Sequence, residues 1–354
     1  MTALAPPRNQ RERLLCLDGL RGLAALVVVA FHFSQHYWAD LLNRFHAVTG
    51  LDLFNGPASV STFFVLSGFV LYVAASNLQR PSLVVGAALK RWPRLAGPAI
   101  VAGLLLAAVA GAGLYPSPAD VAAQTSKANY FVLYGYSRGG TRLADTIWEA
   151  AIGSFKGELP WFNPVLWTMH FELIGSFLVF AAVALRSLKS PALRAPLILA
   201  LSVVACWYSA WMIGFVFGIA LAVFWTARPR LNWNVGPLAS VLFGSLFVLV
   251  FLIGQADTRI AELSAELHVQ PSYCWMMLQA VASTGMVALG LWSRTINVVL
   301  STKLCRYLGR YSFPAYLIHF TVLYSFSSWL FNWGMDSLPN AILTLAAVYA
   351  ICVP

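Results

Sequence analysis

The chain has 354 residues, of which 59% are hydrophobic and only 10% charged, a balance too apolar for a soluble domain of this size. Its net charge of +10 does not point to nucleic acid, because no basic stripe sits on a soluble fold pattern, and basic residues beside apolar runs record membrane topology instead. The five cysteines, Cys16, Cys206, Cys274, Cys305 and Cys352, are widely spaced in or beside apolar runs, which excludes both a CxxC metal motif and a disulfide framework.

Membrane-spanning helices need roughly 17–25 apolar residues. Ten such segments follow one another along the chain: 14–36, 57–76, 92–114, 164–186, 194–210, 211–226, 236–254, 273–293, 306–331 and 338–354. The basic start (Arg8, Arg11, Arg13) before the first run mimics a signal peptide, but Asp18 and Arg21 interrupt that run and no small-residue cleavage site follows His32. An uncleaved first helix is therefore expected. The resulting fold class is all-α, a polytopic membrane helical bundle of about ten transmembrane helices with a cytoplasmic N-terminus, residues 1–354 forming a single integral-membrane domain.

Charge tests this threading. With the N-terminus inside, the connections 1–13, 77–91, 187–193, 227–235 and 294–305 and the adjoining helix ends hold 17 of the 23 basic residues, while 10 of the 13 acidic residues fall outside. That asymmetry obeys the positive-inside rule. Merging the fifth and sixth segments, split only by Ser209 and Ala210, would invert everything after them and strand Arg228, Arg230, Arg294 and Lys303 outside. The longest connection, about 115–163, carries "GYSRGGTRLAD" and "KGELPWFNP" and is too long for a passive turn. It is expected outside, with short interfacial helices or a re-entrant piece. Gly139 and Gly140 are not followed by GK[ST], so they form no phosphate loop, and the chain has no internal repeat.

Polar residues inside the apolar segments carry the functional signal, since charge in lipid is costly and usually does work. Arg21 and His32 are eleven residues apart, which leaves them within about 20° of one helix face and about 16 Å apart along the axis. Asp18, three residues before Arg21, can pair with it near the cytoplasmic end. In "PVLWTMHFELIG", Glu172 lies at a depth similar to that of His32, so a carboxylate and an imidazole can meet, the pairing that lets a histidine take a proton from a hydroxyl. Trp167 and His170 flank Glu172, and His170, two positions away, faces elsewhere as a structural residue. In "LKRWPRLAGP", Lys90, Arg91 and Arg94 stand where the third segment enters the membrane, as topology anchors or as an anion clamp joined by Arg21. The same inventory of intramembrane His, Glu and Arg would suit a transporter, although the missing repeat speaks against one. A zinc site on His32 and His36, one turn apart, lacks a third and fourth ligand, so no metal is expected.

Five motifs in this order resemble acyltransferase family 3, bacterial membrane proteins that O-acylate surface glycans, lipids and some small molecules. They are "LDGLRGLAALVVVAFHF" with Arg21 and His32, "STFFVLSGFVL" at 61–71, "RWPRL" with Arg91 and Arg94, "LWTMHFELIG" at 166–175, and "YLIHF" at 316–320. The resemblance covers essentially the whole chain; Thr168 stands where the family usually has serine and keeps the hydroxyl. The family also leads one to expect a charged cytoplasmic tail, whereas the sequence ends at Ile351-Cys352-Val353-Pro354, as a truncated or short member would.

The resemblance implies transfer of an acyl group, most simply acetyl, from cytoplasmic acyl-CoA to a hydroxyl of an extracytoplasmic glycan or glycolipid, in a bacterial cytoplasmic membrane. It places His32 and Glu172 in catalysis, Arg21, Arg91 and Arg94 on the donor's phosphates, and Ser67, Trp167, Thr168 and His319 along the substrate path. Acyl-CoA would be a donor substrate, not a resident cofactor, and the bilayer the remaining partner.

Overall fold

A computed structural model of the chain describes residues 8–37, 39–78, 80–114, 143–188, 190–227, 234–255, 257–323, 325 and 338–353. Ten helices occupy the ten apolar segments: α1 (Arg8–Tyr37), α2 (Gly56–Ser76), α3 (Arg91–Gly111), α4 (Thr168–Ala184), α5 (Pro191–Tyr208), α6 (Met212–Ala227), α7 (Pro237–Phe251), α8 (Pro271–Trp292), α9 (Lys303–Val322) and α10 (Leu338–Cys352). Among the described residues there is no strand, only an isolated bridge between Leu51 and Ile253.

Among the described residues, five helical stretches are long and apolar enough to cross a membrane: Leu14–Gln35, Gly56–Ser76, Pro81–Gly111, Pro164–Ser187 and Pro271–Trp292. Most of α5, and α6, α7 and part of α10, are shorter apolar helices, and α9 carries Lys303, Arg306 and Arg310 in its first half. The fifth and sixth segments are separate helices, because Ser209 turns to extended backbone (φ −162°) and ends α5. The long connection contains short helical pieces over 143–156; its "GYSRGG" stretch lies outside the described residues.

The described chain gathers into two compact units, 1–24 with 43–91 and 174–310, and 25–42 with 92–173 and 311–354. In the first, α2 and α6 approach backbone to backbone. A methyl group at Gly68 would stand 2.6 Å from the Phe215 carbonyl oxygen, and one at Gly214 would stand 2.9 Å from the Phe64 Cβ. Small residues at both faces allow this contact, which substitutes for the hydrophobic drive missing in lipid. Polar staples reinforce the packing: Thr62 meets Ser283 of α8 at 2.9 Å, and Gln279 donates to the Val250 carbonyl at 2.9 Å. Asn55 accepts from the Ala58 amide to cap α2, and its side-chain amide donates to the carbonyls of Phe251 and Ile253.

The second unit holds the later half of α1, most of α3, the helices at 143–156, the start of α4, the later half of α9, and α10. Tyr349 of α10 donates to the Leu26 carbonyl at 2.8 Å. The buried Glu149 carboxylate accepts from the amides of Trp161, Phe162 and Asn163. Burial pushes its carboxyl above the usual range, and the three amide donors pull it back. The stretch so fixed leads into the 3-10 turn Pro164–Trp167 and α4, and the Asn163 side chain ties it to the Leu317 carbonyl of α9 at 2.9 Å.

Candidate active site

The second unit brings together residues of α1, α4 and α9. One turn of α9 supplies two of them, Tyr316 and His319, which lie three positions apart and so share a helix face. His319 is fully buried. Its Nδ1 bonds back to its own helix, 2.7 Å from the Tyr316 carbonyl oxygen and 3.3 Å from that of Ala315. Its Nε2 lies 3.0 Å from Nδ1 of His32 on α1. The His32 Nδ1 is also 3.0 Å from the Val28 carbonyl one turn earlier. The two rings are tilted by 36° with centroids 5.0 Å apart, and the Phe320 ring stands nearly perpendicular to that of His32.

Beside this pair lies a cluster of hydroxyl groups. The Tyr316 hydroxyl donates to the Val165 carbonyl at 3.0 Å and stands 3.1 Å from the Thr168 hydroxyl, which itself reaches the same carbonyl at 3.2 Å. Val165 sits where the 3-10 turn gives way to α4, and its carbonyl collects side-chain donors there. Tyr316 and Thr168 are buried. The Glu172 carboxylate, one turn along α4 from Thr168, lies within electrostatic reach of the Tyr316 hydroxyl.

The expected residues are thus distributed as follows. His32, the expected base, meets His319, expected along the substrate path, and Glu172 acts electrostatically on Tyr316. Thr168 joins the hydroxyl cluster, and Trp167 packs edge-on against Phe171 at 5.7 Å. Ser67 is a half-buried residue of α2 in the first unit. Arg21 pairs with Asp18 at 3.8 Å in that unit, as the i, i+3 spacing implies. Arg91, also of that unit, donates from Nε to the fully buried Ser176 hydroxyl at 2.7 Å, and Arg94, one turn further along α3, is exposed. His170 donates from Nδ1 to the Phe155 carbonyl at 2.9 Å. Among the described residues no three His, Cys, Asp or Glu gather as a metal ion would require; the His36 side chain lies outside them.

Sequence reasoning missed Tyr316, Ser176 and Glu149. Tyr316 was within reach, since it stands three residues before His319 in a motif already singled out. Ser176 and Glu149 carry no local signal, because each acts on a partner 85 and 12–14 residues away respectively.

Residues 14–354 match the family model of acyltransferase family 3, whose description reads acyltransferase domain. No curated protein and no solved structure matches the chain.

Proposed function

The chain belongs to acyltransferase family 3, and on that premise we propose that it is a membrane O-acyltransferase that carries an acyl group, acetyl first of all, from cytoplasmic acyl-CoA to a hydroxyl of an extracytoplasmic glycan or glycolipid. The membrane concerned is the cytoplasmic membrane of a bacterium, crossed by all ten helices from a cytoplasmic N-terminus. One observation supports the reading: the imidazole of His32 sits in a helix long and apolar enough to span a bilayer, with its Nδ1 3.0 Å from the Val28 carbonyl, and a titratable group at that depth is costly unless it works there.

The step balances without a resident cofactor. The acceptor hydroxyl oxygen attacks the thioester carbonyl carbon, the C–S bond breaks, and the hydroxyl proton passes to His32 Nε2 and on to the departing sulfur, giving an O-acyl ester and free CoA. Arg21, Arg91 and Arg94 hold the donor's phosphates, a task for which a guanidinium fork is suited. The Ser176 hydroxyl on Arg91 Nε supports that assignment by limiting the rotation of one such fork. Glu172 acts with Tyr316 on the acceptor side, where Trp167 and Thr168 contact substrate; Ser67 is a further substrate-binding residue.

The test compares surface glycans and glycolipids, by mass spectrometry, between cells carrying the gene and cells deleted for it. The expected result is the loss of one acyl mass from a defined envelope component. Identical envelope masses, together with altered uptake or efflux of a solute, would replace this reading with a transporter.

A further inference from the structure

We propose that His319 is a positioning residue that fixes the tautomer and orientation of the His32 ring through their shared hydrogen bond, an inference that rests on the reading of His32 as the base. A carbonyl oxygen accepts hydrogen bonds and cannot donate one. Nδ1 of His319 faces two carbonyl oxygens, those of Tyr316 at 2.7 Å and Ala315 at 3.3 Å, so it carries a hydrogen. A neutral imidazole has one N–H, and therefore His319 Nε2 is an acceptor.

Opposite it, 3.0 Å away, stands His32 Nδ1, which faces the Val28 carbonyl at 3.0 Å as well. Both neighbours accept, so His32 Nδ1 carries the ring hydrogen and shares it between them. His32 Nε2 is then the basic nitrogen. The order of bonds runs from the Tyr316 carbonyl through His319 to His32, as a carboxylate holds the histidine of a hydrolase triad, with a neutral ring in the carboxylate's place. When His32 Nε2 takes the acceptor's proton, its Nδ1–H becomes the stronger, charge-assisted donor to His319 Nε2, and the imidazolium is stabilised without moving a second proton. His319 has no exposed surface, which suits a residue acting through His32 better than one lining the substrate path.

Three variants test this in the full-length protein, purified in detergent, with acetyl-CoA as donor and a parent-cell envelope fraction as acceptor. His319→Leu removes the acceptor atom. His319→Gln restores it, since its amide NH2 can donate to the Tyr316 carbonyl while its oxygen accepts from His32. His32→Ala is the control for the underlying reading. The expected result is a fall in kcat of about 10–100-fold for His319→Leu, taken from the loss seen when the hydrogen-bond partner of a metal-bound histidine is removed, with KM for acetyl-CoA and the melting temperature unchanged and most of kcat recovered by His319→Gln. Wild-type kcat in His319→Leu, or His319→Gln no more active than His319→Leu while both melt normally, overturns the role of His319. Should His319→Leu fail to fold, the Gln variant decides alone: activity near wild type supports the role, and activity as low as that of His32→Ala in a normally melting protein overturns it. Wild-type turnover in His32→Ala instead overturns the base assignment beneath it, so the two failures are told apart by different variants.

Discussion

Removing the Tyr316 hydroxyl and the Thr168 hydroxyl, separately and together, should reveal a strong coupling. Each hydroxyl reaches the Val165 carbonyl, at 3.0 and 3.2 Å, and the two lie 3.1 Å apart. In Tyr316→Phe the Thr168 hydroxyl still donates to that carbonyl, so the loss is one neutral hydrogen bond, about 0.5–1.5 kcal/mol. In Thr168→Val the phenol remains as donor, and the cost is of the same size. The double variant deprives a buried carbonyl of both hydroxyl donors and adds a desolvation penalty of about 1–3 kcal/mol beyond the sum of the singles. The assay is equilibrium unfolding of the four proteins in one detergent, read as a double-mutant cycle. Strict additivity would refute the shared-acceptor geometry. A single Tyr316→Phe change that costs several kcal/mol would do the same, since it would mean that the remaining hydroxyl does not compensate.

Further predictions follow from the arginines and from the surface clasp of the first unit. Arg91→Lys and Arg94→Lys keep the charge but lose the planar fork, so each should raise the Kd for acyl-CoA by about tenfold or more, measured by equilibrium binding; wild-type affinity in both would reduce them to topology anchors. Ser176→Ala should weaken donor binding in the same direction but by less, because it removes one restraint on the Arg91 guanidinium without removing the group itself. Asp257 caps the helix Thr258–Leu267 and accepts from the Arg259 guanidinium, which holds its carboxyl below the usual value of 3.8. A depressed carboxyl stabilises the fold above its usual value and loses that contribution as pH falls through the lowered one. Thermal stability between pH 5 and pH 2 should therefore fall less steeply in Asp257→Asn than in the parent, and equal slopes would remove this group from the acid response.

The helices in the apolar segments were legible because a run of apolar residues in lipid must close its own hydrogen bonds as a helix, and among the described residues five of them are long and apolar enough to cross a membrane. The break between α5 and α6 was legible from charge on either side of it, not from Ser209 itself. The site was read unevenly. His32 stood out as a polar residue in an apolar helix, and spacing along α1 placed it with Arg21. Its partner could not be read the same way. Depth along two helices made Glu172 a candidate, but which of several residues at one depth turns toward His32 depends on helix rotation, which spacing does not give, and so the ring of His319 on α9 was not recognised as a neighbour of His32. Ser176 was hidden for the same reason: a hydroxyl in an apolar segment is common, and only a tertiary contact distinguishes one that bonds to a distant residue from one that bonds to its own helix.

The most direct measurement of the central claim is release of free CoA by the purified, full-length protein from acetyl-CoA, with and without a parent-cell envelope fraction, for the parent chain and for His32→Ala. The parent should release CoA in step with ester formation on the envelope fraction. His32→Ala should retain donor binding and melting temperature while turning over about 10²–10⁴-fold more slowly, the usual share of one general base. Turnover in His32→Ala equal to that of the parent, or no acceptor-dependent CoA release by a parent protein that binds acetyl-CoA, would contradict it.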